Sequence, residues 1–501
     1  MVGVVRPSSF RQFVPAVVLV LQPLWMAPAV AAVNQTVAMR QPQMRVLLAE
    51  ADVILLRADA ATPLMVYGLG RRAARLSRLQ LRQHAGGWSL DSPELGQRRL
   101  PEDGTLMVQT DDPRGIWLGP RRFSGALHLA LRDGRLQVVN HLDLETYLAS
   151  VVGSERPQDW PMAALQAQAV AARTYALRQR SGKGRFDVKA TVLSQVYLGL
   201  ESATPRTEEA VNSTRSLVMV HGGRLINAVF HSSSGGSTEP SGEVWRYQLP
   251  YLQSVRDHDQ NSPVHRWEQH FDVAQLRTAF RETGGLQQLE VLQTSSTGRL
   301  RSVRAKGPRG SLVISGRELR QRLGLKSTKV RFNWRTAASG GPAIGQSSPP
   351  TLRVHHRQVR PPAGGWRDSA SGSSHSNASI TISGAAVSGE PHSRSVLSSL
   401  LPPLPPPPLS AAEGVRLQAP IKPARALSGA MRLDTVLTVQ GQGFGHGVGM
   451  SQWGARGLAE QGADFRQILQ HYYRGITIRP FRPADDPALA WSPPVRPIWK
   501  R

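Results

Sequence analysis

Glu155 is the first residue whose type and surroundings could do chemistry. It lies in a short stretch between two predicted helices, beside Arg156 and close in sequence to Tyr147 and Trp160. A carboxyl group that protonates a glycosidic oxygen needs shielding from water, because burial raises its pKa. The aromatic neighbours could provide that shielding, and they could also stack on sugars. The alternative is a surface glutamate paired with Arg156, which the spacing alone favours.

A glycine-rich segment is the second candidate. Glycine recurs at every second position from Gly441 to Gly449, so alternate side chains are missing and the backbone can approach a ligand or another strand closely. The segment superficially resembles a dinucleotide-binding loop, but the βαβ context is absent. His446 and Gln452 are the polar side chains that it could present. A structural, hydrogen-bonded imidazole is the alternative for His446, and both interpretations stay open here.

The third candidate is the stretch His231–Thr238, at the end of a predicted hairpin. A serine nucleophile would need a neighbouring base and an oxyanion pocket, and His231 could be that base only if the loop folds back. No GxSxG elbow exists, so a plain polar loop is favoured. Two aspartates and two histidines downstream lack the compact spacing of metal ligands: Asp257, His258, Asp259 and His265.

The helices and strands that must position these residues are predicted to form an α+β protein. Residues 44–140 are β-rich, and alternating leucines before Asp133-Gly134 predict a tight hairpin. A second hairpin is predicted to turn at Gly222-Gly223, with strands at about 217–221 and 224–231.

A mixed helix and strand domain is predicted in two parts, residues 141–336 and 426–479. Asp143 is placed to cap a first helix, for which Gly153 is a plausible C-terminal stop. A second helix starts near Pro161 and is rich in alanine, so another element can approach it closely.

Two segments have the composition of unstructured chain. Ser, Gly and Pro dominate residues 337–425, where Pro405–Pro408 form an unbroken run. Such a segment cannot bury enough apolar surface to offset its ordering entropy, so a disordered insertion is predicted. Residues 480–501 are rich in proline and arginine and predict a loose basic tail.

The overall composition limits the class of partner. The chain has 501 residues and a formal net charge of +26, from 61 Lys and Arg against 35 Asp and Glu. Such a surplus favours an anionic partner, which could be nucleic acid, a cell-wall polymer or lipid head groups. The absence of cysteine excludes a disulfide framework, a thiolate metal site and a cysteine nucleophile.

The N-terminal residues predict export. Arg6 and Arg11 precede the apolar stretch Phe13–Trp25, and small residues follow up to Ala32. This order is typical of a secretory signal peptide, here residues 1–31, and an uncleaved anchor is the alternative. The apolar run is shorter than the ~20 residues that span a bilayer, and no other stretch is apolar enough to do so. Export to the periplasm, cell wall or extracellular space argues against nucleic acid as the partner.

Together, these motifs resemble the stage II sporulation protein D and amidase-enhancer family. The resemblance covers about Met44 to Ile476 without the low-complexity insertion, and the motifs occur in the same order. The first and third motifs are long and highly specific. The matching runs are Leu144–Leu148, Val151–Pro157, Trp160–Pro161, Ala164–Ala176, Gln195–Gly199, His231–Thr238, Val244–Trp245, Pro250–Leu252, Gly443–Ala455 and His471–Tyr473.

The resemblance implies a lytic transglycosylase that cuts peptidoglycan glycan strands already stripped of stem peptides. Glu155 matches the family's essential acid, which would protonate the oxygen between N-acetylmuramic acid and N-acetylglucosamine. The same carboxylate would then deprotonate the muramoyl C6 hydroxyl, which attacks C1 and closes a 1,6-anhydro ring. One carboxylate suffices for this chemistry, whereas a hydrolase needs a second.

The resemblance also implies the remaining site residues. Substrate contacts are expected from Arg173, Tyr175, Tyr197, His231, His446 and Gln452. Some relatives hold zinc with His and Cys near the third candidate stretch, of which only the histidine remains here, so no metal or other cofactor is expected. The alternative function is a non-catalytic wall-binding protein that stimulates a partner amidase, an N-acetylmuramoyl-L-alanine amidase.

Overall fold

The computed structural model describes residues 42–59, 62–155, 159–180, 182–336 and 435–487, together with Gly3. The predicted signal peptide and the predicted insertion lie outside these residues, as does the end of the chain after residue 487. For Glu155 the backbone is described and the side chain is not.

The first part of the described chain is built from β-strands, as the sequence predicts. Their inward faces share one apolar core, in which Trp88 is fully buried. The strands are β1 (Gln43–Ala51), β2 (Val53–Arg57), β3 (Leu64–Tyr67), β4 (Ala74–Leu76), β5 (Arg78–His84), β6 (Gly87–Ser92), β7 (Gly96–Leu100), β8 (Thr105–Gln109), β9 (Ile116–Leu118), β10 (Arg121–Phe123), β11 (Ala126–Arg132) and β12 (Arg135–Asp143).

The predicted hairpin at Asp133-Gly134 is confirmed. Leu131 of β11 pairs with Leu136 of β12 across the turn. Asp133 and Gly134 have φ angles of 50° and 74°, the left-handed pair that a two-residue hairpin loop requires. The alternating leucines of β11 face inward because side chains alternate along a strand.

The remaining chain mixes helices with short strands, in agreement with the predicted α+β class. The elements are α1 (Leu144–Glu155), α2 (Met162–Gln179), β13 (Val188–Lys189), α3 (Pro205–Ser213), β14 (Leu217–His221), β15 (Arg224–Leu225), β16 (Phe230–His231), α4 (Ser241–Val244), β17 (Arg266–Phe271), α5 (Val273–Ala279), β18 (Gln288–Thr294), β19 (Leu300–Gly307), β20 (Gly310–Ser315), α6 (Gly316–Leu323), β21 (Val330–Thr336), β22 (Thr435–Gln442), β23 (Met450–Ser451), α7 (Gln452–Glu460), α8 (Phe465–Tyr472) and β24 (Thr477–Pro480).

The strands form two larger sheets and several small ones. The larger sheets have the strand orders β13-β1-β12-β11-β8-β3-β4 and β10-β9-β2-β5-β6-β7. Three-stranded sheets follow with the orders β15-β14-β24, β17-β22-β21 and β18-β19-β20, and β16 pairs with β23. Within the described ranges, no helix is long and apolar enough to cross a membrane.

Helix α1 begins where the sequence predicts and ends later. The Asp143 carboxylate accepts a hydrogen bond from the Thr146 backbone N–H at 2.9 Å, which caps the first turn. The helix does not stop at Gly153 but runs to Glu155. Gly153 instead allows a close approach, because a Cβ there would lie 1.8 Å from the Ser202 carbonyl oxygen.

The alanine-rich helix α2 lies between two apolar cores. Ala169 and Ala172 pack into the core shared with the N-terminal sheets. Ala167 and Ala171 pack into a second core, which contains Tyr472 of α8. Small side chains on several faces therefore let other elements approach this helix from both sides, as predicted.

The second predicted hairpin is shorter than expected. β14 and β15 turn at Gly222-Gly223, but β15 ends at Leu225. Phe230 and His231 form a separate strand that pairs in parallel with Met450 and Ser451 of β23. The predicted long strand was wrong because its second half leaves the hairpin and joins the glycine-rich segment.

The predicted loose tail is corrected for residues 480–487. β24 pairs with β14, with Pro480 opposite Leu217. Nη1 and Nη2 of Arg479 donate to the Asp485 carboxylate at 2.7 Å. These contacts attach the segment to the body of the protein.

Candidate substrate cavity

A cavity of about 750 Å³ opens between the glycine-rich segment, the loop after β16 and the elements from β19 to α6. Tyr175 of α2 and Ser194 close another side. The wall thus brings together parts of two of the three stretches that the sequence marks as chemically interesting, the glycine-rich segment and His231–Thr238. Trp245 and Phe230 contribute aromatic surface, which suits a ligand with apolar faces.

The glycine-rich segment follows the cavity wall because its backbone touches other elements where side chains are missing. A Cβ on Gly443 would lie 2.5 Å from the Ser233 carbonyl oxygen, and one on Gly449 would lie 2.1 Å from that of Val229. A Cβ on Gly445 would lie 2.8 Å from the His231 Cβ. The predicted close approach is confirmed, and the partner is β16 together with the residues on either side of it.

His446 lines the cavity with its ring while both ring nitrogens are bonded to backbone. Nδ1 accepts from the Val448 N–H at 3.1 Å, and Nε2 lies 3.1 Å from the Phe230 carbonyl oxygen. This pattern corresponds to a neutral ring with the proton on Nε2. Burial, assisted by the nearby cations Arg320 and Arg299, lowers the pKa of His446 to about 3. His446 therefore offers a ring face to the cavity.

His231 faces His446 across the β16–β23 contact. It is 5% exposed and its Nδ1 lies 3.1 Å from the Val448 carbonyl oxygen. The two imidazole centroids are 5.4 Å apart, and the Trp245 ring lies 5.4 Å from His446. These three rings form one wall of the cavity.

Two of the serines after His231, Ser233 and Ser234, are not placed as nucleophiles. The Ser233 and Ser234 hydroxyls donate to the buried carboxylates of Asp259 and Asp257. A hydroxyl that donates to a carboxylate is held in place rather than activated by a histidine. The polar loop favoured by the sequence is therefore a network of hydrogen bonds.

The side chains of this network are also the ones to consider as ligands of a zinc ion. The Asp259 carboxylate accepts from the Gly235 and Gly236 amides at 2.8 and 3.0 Å, and His265 Nδ1 lies 3.0 Å from it. Among the described residues, no three His, Cys, Asp or Glu side chains are grouped to hold a metal. The donors that remain do not fit a zinc site with thiolate ligands.

Glu239 and Arg299 are cavity residues that the sequence analysis missed. Glu239 is fully buried, accepts from the Ser295 hydroxyl at 3.0 Å, and lies 3.4 Å from Arg299 Nε. Burial raises the pKa of Glu239 to about 7, although Arg299 opposes the rise. Glu239 directly follows the His231–Thr238 stretch, which is the one signal that could have drawn attention to it.

Two predicted substrate contacts lie away from the cavity. Arg173 is fully buried, and its guanidinium donates to the Glu145 carboxylate at 2.6 and 3.1 Å. Tyr197 donates to the Asn140 side chain at 2.9 Å, and burial raises its pKa. Both side chains take part in packing and neither borders this cavity, so their contacts with a substrate stay predictions.

Tyr175 and Gln452 do border the cavity. Tyr175 is 6% exposed, and burial raises its pKa to about 12. Gln452 is the first residue of α7 and is 3% exposed. With His231 and His446, they make four of the six predicted contacts that the fold brings together.

Glu155 ends α1, and its side chain lies outside the described atoms. Its neighbour Ser154 accepts a hydrogen bond from the Leu198 N–H at 3.3 Å. Trp160 packs edge-on against Trp453, with ring centroids 5.1 Å apart. These contacts fix the chain just before Glu155, at Ser154, and after it, at Trp160, so Glu155 is the last residue of α1 and does not lie within the predicted connection between the helices.

Comparison with known proteins gives a family match and several relatives. Residues 132–221 match the family model described as SpoIID, stage II sporulation protein. An uncharacterized protein of Brachyspira hyodysenteriae is 28% identical over 74% of this chain and 76% of its own length. Stage II sporulation protein D of Bacillus subtilis is 25% identical over 68% of this chain and 76% of its own length. The amidase enhancer of Bacillus subtilis is 28% identical over 66% of this chain, but this match spans 40% of that protein.

Proposed function

The chain belongs to the stage II sporulation protein D and amidase-enhancer family, and on that premise we propose that it is an exported lytic transglycosylase of peptidoglycan. Its substrate is the glycan strand from which the stem peptides have been removed. It works in the periplasm, in the cell wall or outside the cell. The family's relatives support a role at the cell wall, and the finer activity is our proposal.

The cavity is the observation that carries this proposal. It is about 750 Å³ in volume and is walled by the two imidazoles and Trp245 on one side. Pockets that bind small ligands have volumes of about 300–1,000 Å³. The volume of this cavity lies within that range. Aromatic rings suit the apolar faces of sugars, while arginine and glutamate side chains suit their polar groups.

Glu155 is the proposed catalytic acid and base. It protonates the oxygen that bridges N-acetylmuramic acid to the following sugar, and the C1–O bond breaks. The resulting carboxylate takes the proton of the muramoyl C6 hydroxyl, whose oxygen bonds to C1. The nucleophile belongs to the substrate, so it is already held close to C1. The products are a strand with a 1,6-anhydro end and a strand with a free hydroxyl.

Two contacts support a position of Glu155 near the cavity. Trp160 follows Glu155 by five residues, which span at most ~18 Å, and it touches Trp453. Trp453 is the neighbour of Gln452, which lines the cavity. Before Glu155 in the chain, the Ser154 hydroxyl accepts a hydrogen bond from the Leu198 N–H. Leu198 follows the cavity residue Ser194 by four positions.

The test uses glycan strands treated with an amidase and mass spectrometry of the products. The wild type should release fragments with 1,6-anhydromuramoyl ends. Glu155→Gln should reduce their rate of formation at least ~100-fold, because general acid–base catalysis contributes about that much or more. Glu209→Gln is the matched control, since Glu209 is an exposed glutamate on α3. Normal cutting by Glu155→Gln would show that another group is the acid.

A second candidate is a wall-binding protein that stimulates an amidase. The match to the amidase enhancer of Bacillus subtilis over 66% of this chain favours it. In this case the wild type would bind strands without producing anhydro ends. Both wild type and Glu155→Gln would then accelerate release of stem peptides by an added N-acetylmuramoyl-L-alanine amidase to the same extent.

A further inference from the structure

Two arginines of α6 border the cavity. Arg317 and Arg320 are one helical turn apart, so they lie on the same face, and both border the cavity and are partly buried. Arg320 Nε donates to the Leu325 carbonyl oxygen at 3.1 Å. Within the described part of the chain, neither guanidinium forms an ion pair.

A third arginine lies deeper in the same wall. Arg299 is 2% exposed, and its Nη2 donates to the Ser234 carbonyl oxygen at 2.7 Å. Its Nη1 has no hydrogen-bond partner among the described residues, although it is buried. An unsatisfied buried guanidinium nitrogen is costly, so a ligand that accepts its hydrogen bond would be stabilised there.

The positive charge of this wall exceeds the acidic charge beside it. Glu239 lies close to Arg299, but burial disfavours its ionised form. The Glu243 carboxylate also borders the cavity and accepts from the Ser296 N–H at 2.6 Å. Burial and repulsion from Arg299 and Arg317 lower the pKa of Arg320 to about 10. An anionic group entering the cavity would relieve this repulsion.

We propose that Arg317 and Arg320, with Arg299 behind them, bind the free lactyl carboxylate of an N-acetylmuramic acid residue. This inference rests on the proposed function and names the chemical group by which the cavity selects its substrate. The planar guanidinium matches a carboxylate in a two-pronged geometry. The aromatic wall of Trp245 and His446 would contact the sugar that carries this group.

The carboxylate exists only on stripped strands. While a stem peptide is attached, the lactyl carbonyl is part of a neutral amide and carries no charge. The peptide also occupies the space beside that carbonyl. Removal of the peptide creates the anion that the arginines can bind. The arginine wall therefore distinguishes a stripped muramoyl residue from one that still holds its peptide.

The test measures binding by isothermal titration calorimetry in the Glu155→Gln background, so that cutting does not interfere. The probe is the disaccharide of N-acetylglucosamine and N-acetylmuramic acid with a free lactyl carboxylate. Its lactyl methylamide, chitobiose and muramoyl dipeptide are the comparison ligands. The free acid should bind about 10–100-fold more tightly than the amide, as expected for charge-assisted hydrogen bonds.

Arg317→Gln and Arg320→Gln, alone and together, should remove this preference. Arg322→Gln is the matched control on the same helix, because Arg322 is paired with Glu282 and Glu318 and does not border the cavity. It should keep the preference. Thermal unfolding of each variant checks that it is folded, and Arg317→Lys tests whether charge without the planar fork is sufficient.

Equal binding of acid and amide by the Glu155→Gln protein with its arginines intact would overturn the inference. So would muramoyl dipeptide binding as tightly as the free acid, because the carboxylate would then come from the peptide. If the preference for the acid is found but strands yield no anhydro ends with the unmutated Glu155, the binding inference stands and the transglycosylase proposal fails.

Discussion

The Arg299 guanidinium packs against Gly447 of the glycine-rich segment. A Cβ added to Gly447 would lie 2.6 Å from Arg299 Cζ. The Gly447 carbonyl oxygen accepts from the Glu239 N–H at 2.8 Å, so the same residue contacts both Arg299 and its buried neighbour Glu239. The space left by one missing side chain thus allows the cavity wall to contain a buried arginine.

Gly447→Ala should destabilise the protein and disturb this wall. The new methyl group meets a buried guanidinium, and the φ angle of 85° is unfavourable for alanine. Backbone strain of ~1–2 kcal/mol and overpacking of ~1–3 kcal/mol should both lower the free energy of unfolding. Gly462→Ala is the control, because Gly462 has a φ of 91° but open space around its Cβ position. Equal decreases of the melting temperature in both variants would contradict a role of the close contact.

The ion pair of Arg173 and Glu145 should contribute mainly to stability. Glu145→Gln leaves a fully buried guanidinium without its carboxylate, which should lower the free energy of unfolding by ~3–5 kcal/mol. Glu460→Gln is the control, since the pair of Glu460 with Arg456 is partly exposed and should contribute under ~1 kcal/mol. Guanidinium denaturation measures both, and similar small losses would contradict the structural role of Arg173.

His446 should make stability depend on pH. The folded protein holds the pKa of His446 at about 3, against an ordinary value of 6.5. Between these values the unfolded chain binds a proton that the folded protein does not, so the free energy of unfolding falls as pH decreases through this window. His446→Asn should remove that part of the decrease. Denaturation at several pH values measures it, and parallel profiles for variant and wild type would refute the burial of a neutral ring.

Local signals in the sequence predict the elements well. Asp133-Gly134 specifies its turn because only certain residues adopt its backbone angles. Asp143 caps α1 because its side chain reaches a backbone amide three residues away. These interactions involve neighbours in the chain, and residue types alone indicate them.

The sequence did not reveal the contacts between segments that are distant in the chain. Glu239 and Arg299 meet only because the loop after β16, β19 and the glycine-rich segment pack together. The same holds for the burial of Arg173, whose partner Glu145 lies on another helix. A motif therefore indicates that a segment matters, while burial decides whether its side chains face a ligand or the interior.

The ladder between β21 and β22 has an evolutionary consequence. Thr336 and Thr435 stand opposite each other at its end, so the intervening chain leaves and re-enters the sheet at one point. Doubling or halving the number of residues between these two threonines changes the free energy of bringing the loop ends together by only ~0.6 kcal/mol. Homologous chains can accordingly lengthen, trim or replace this excursion, or carry another module there, while the glycine-rich segment that follows keeps its register.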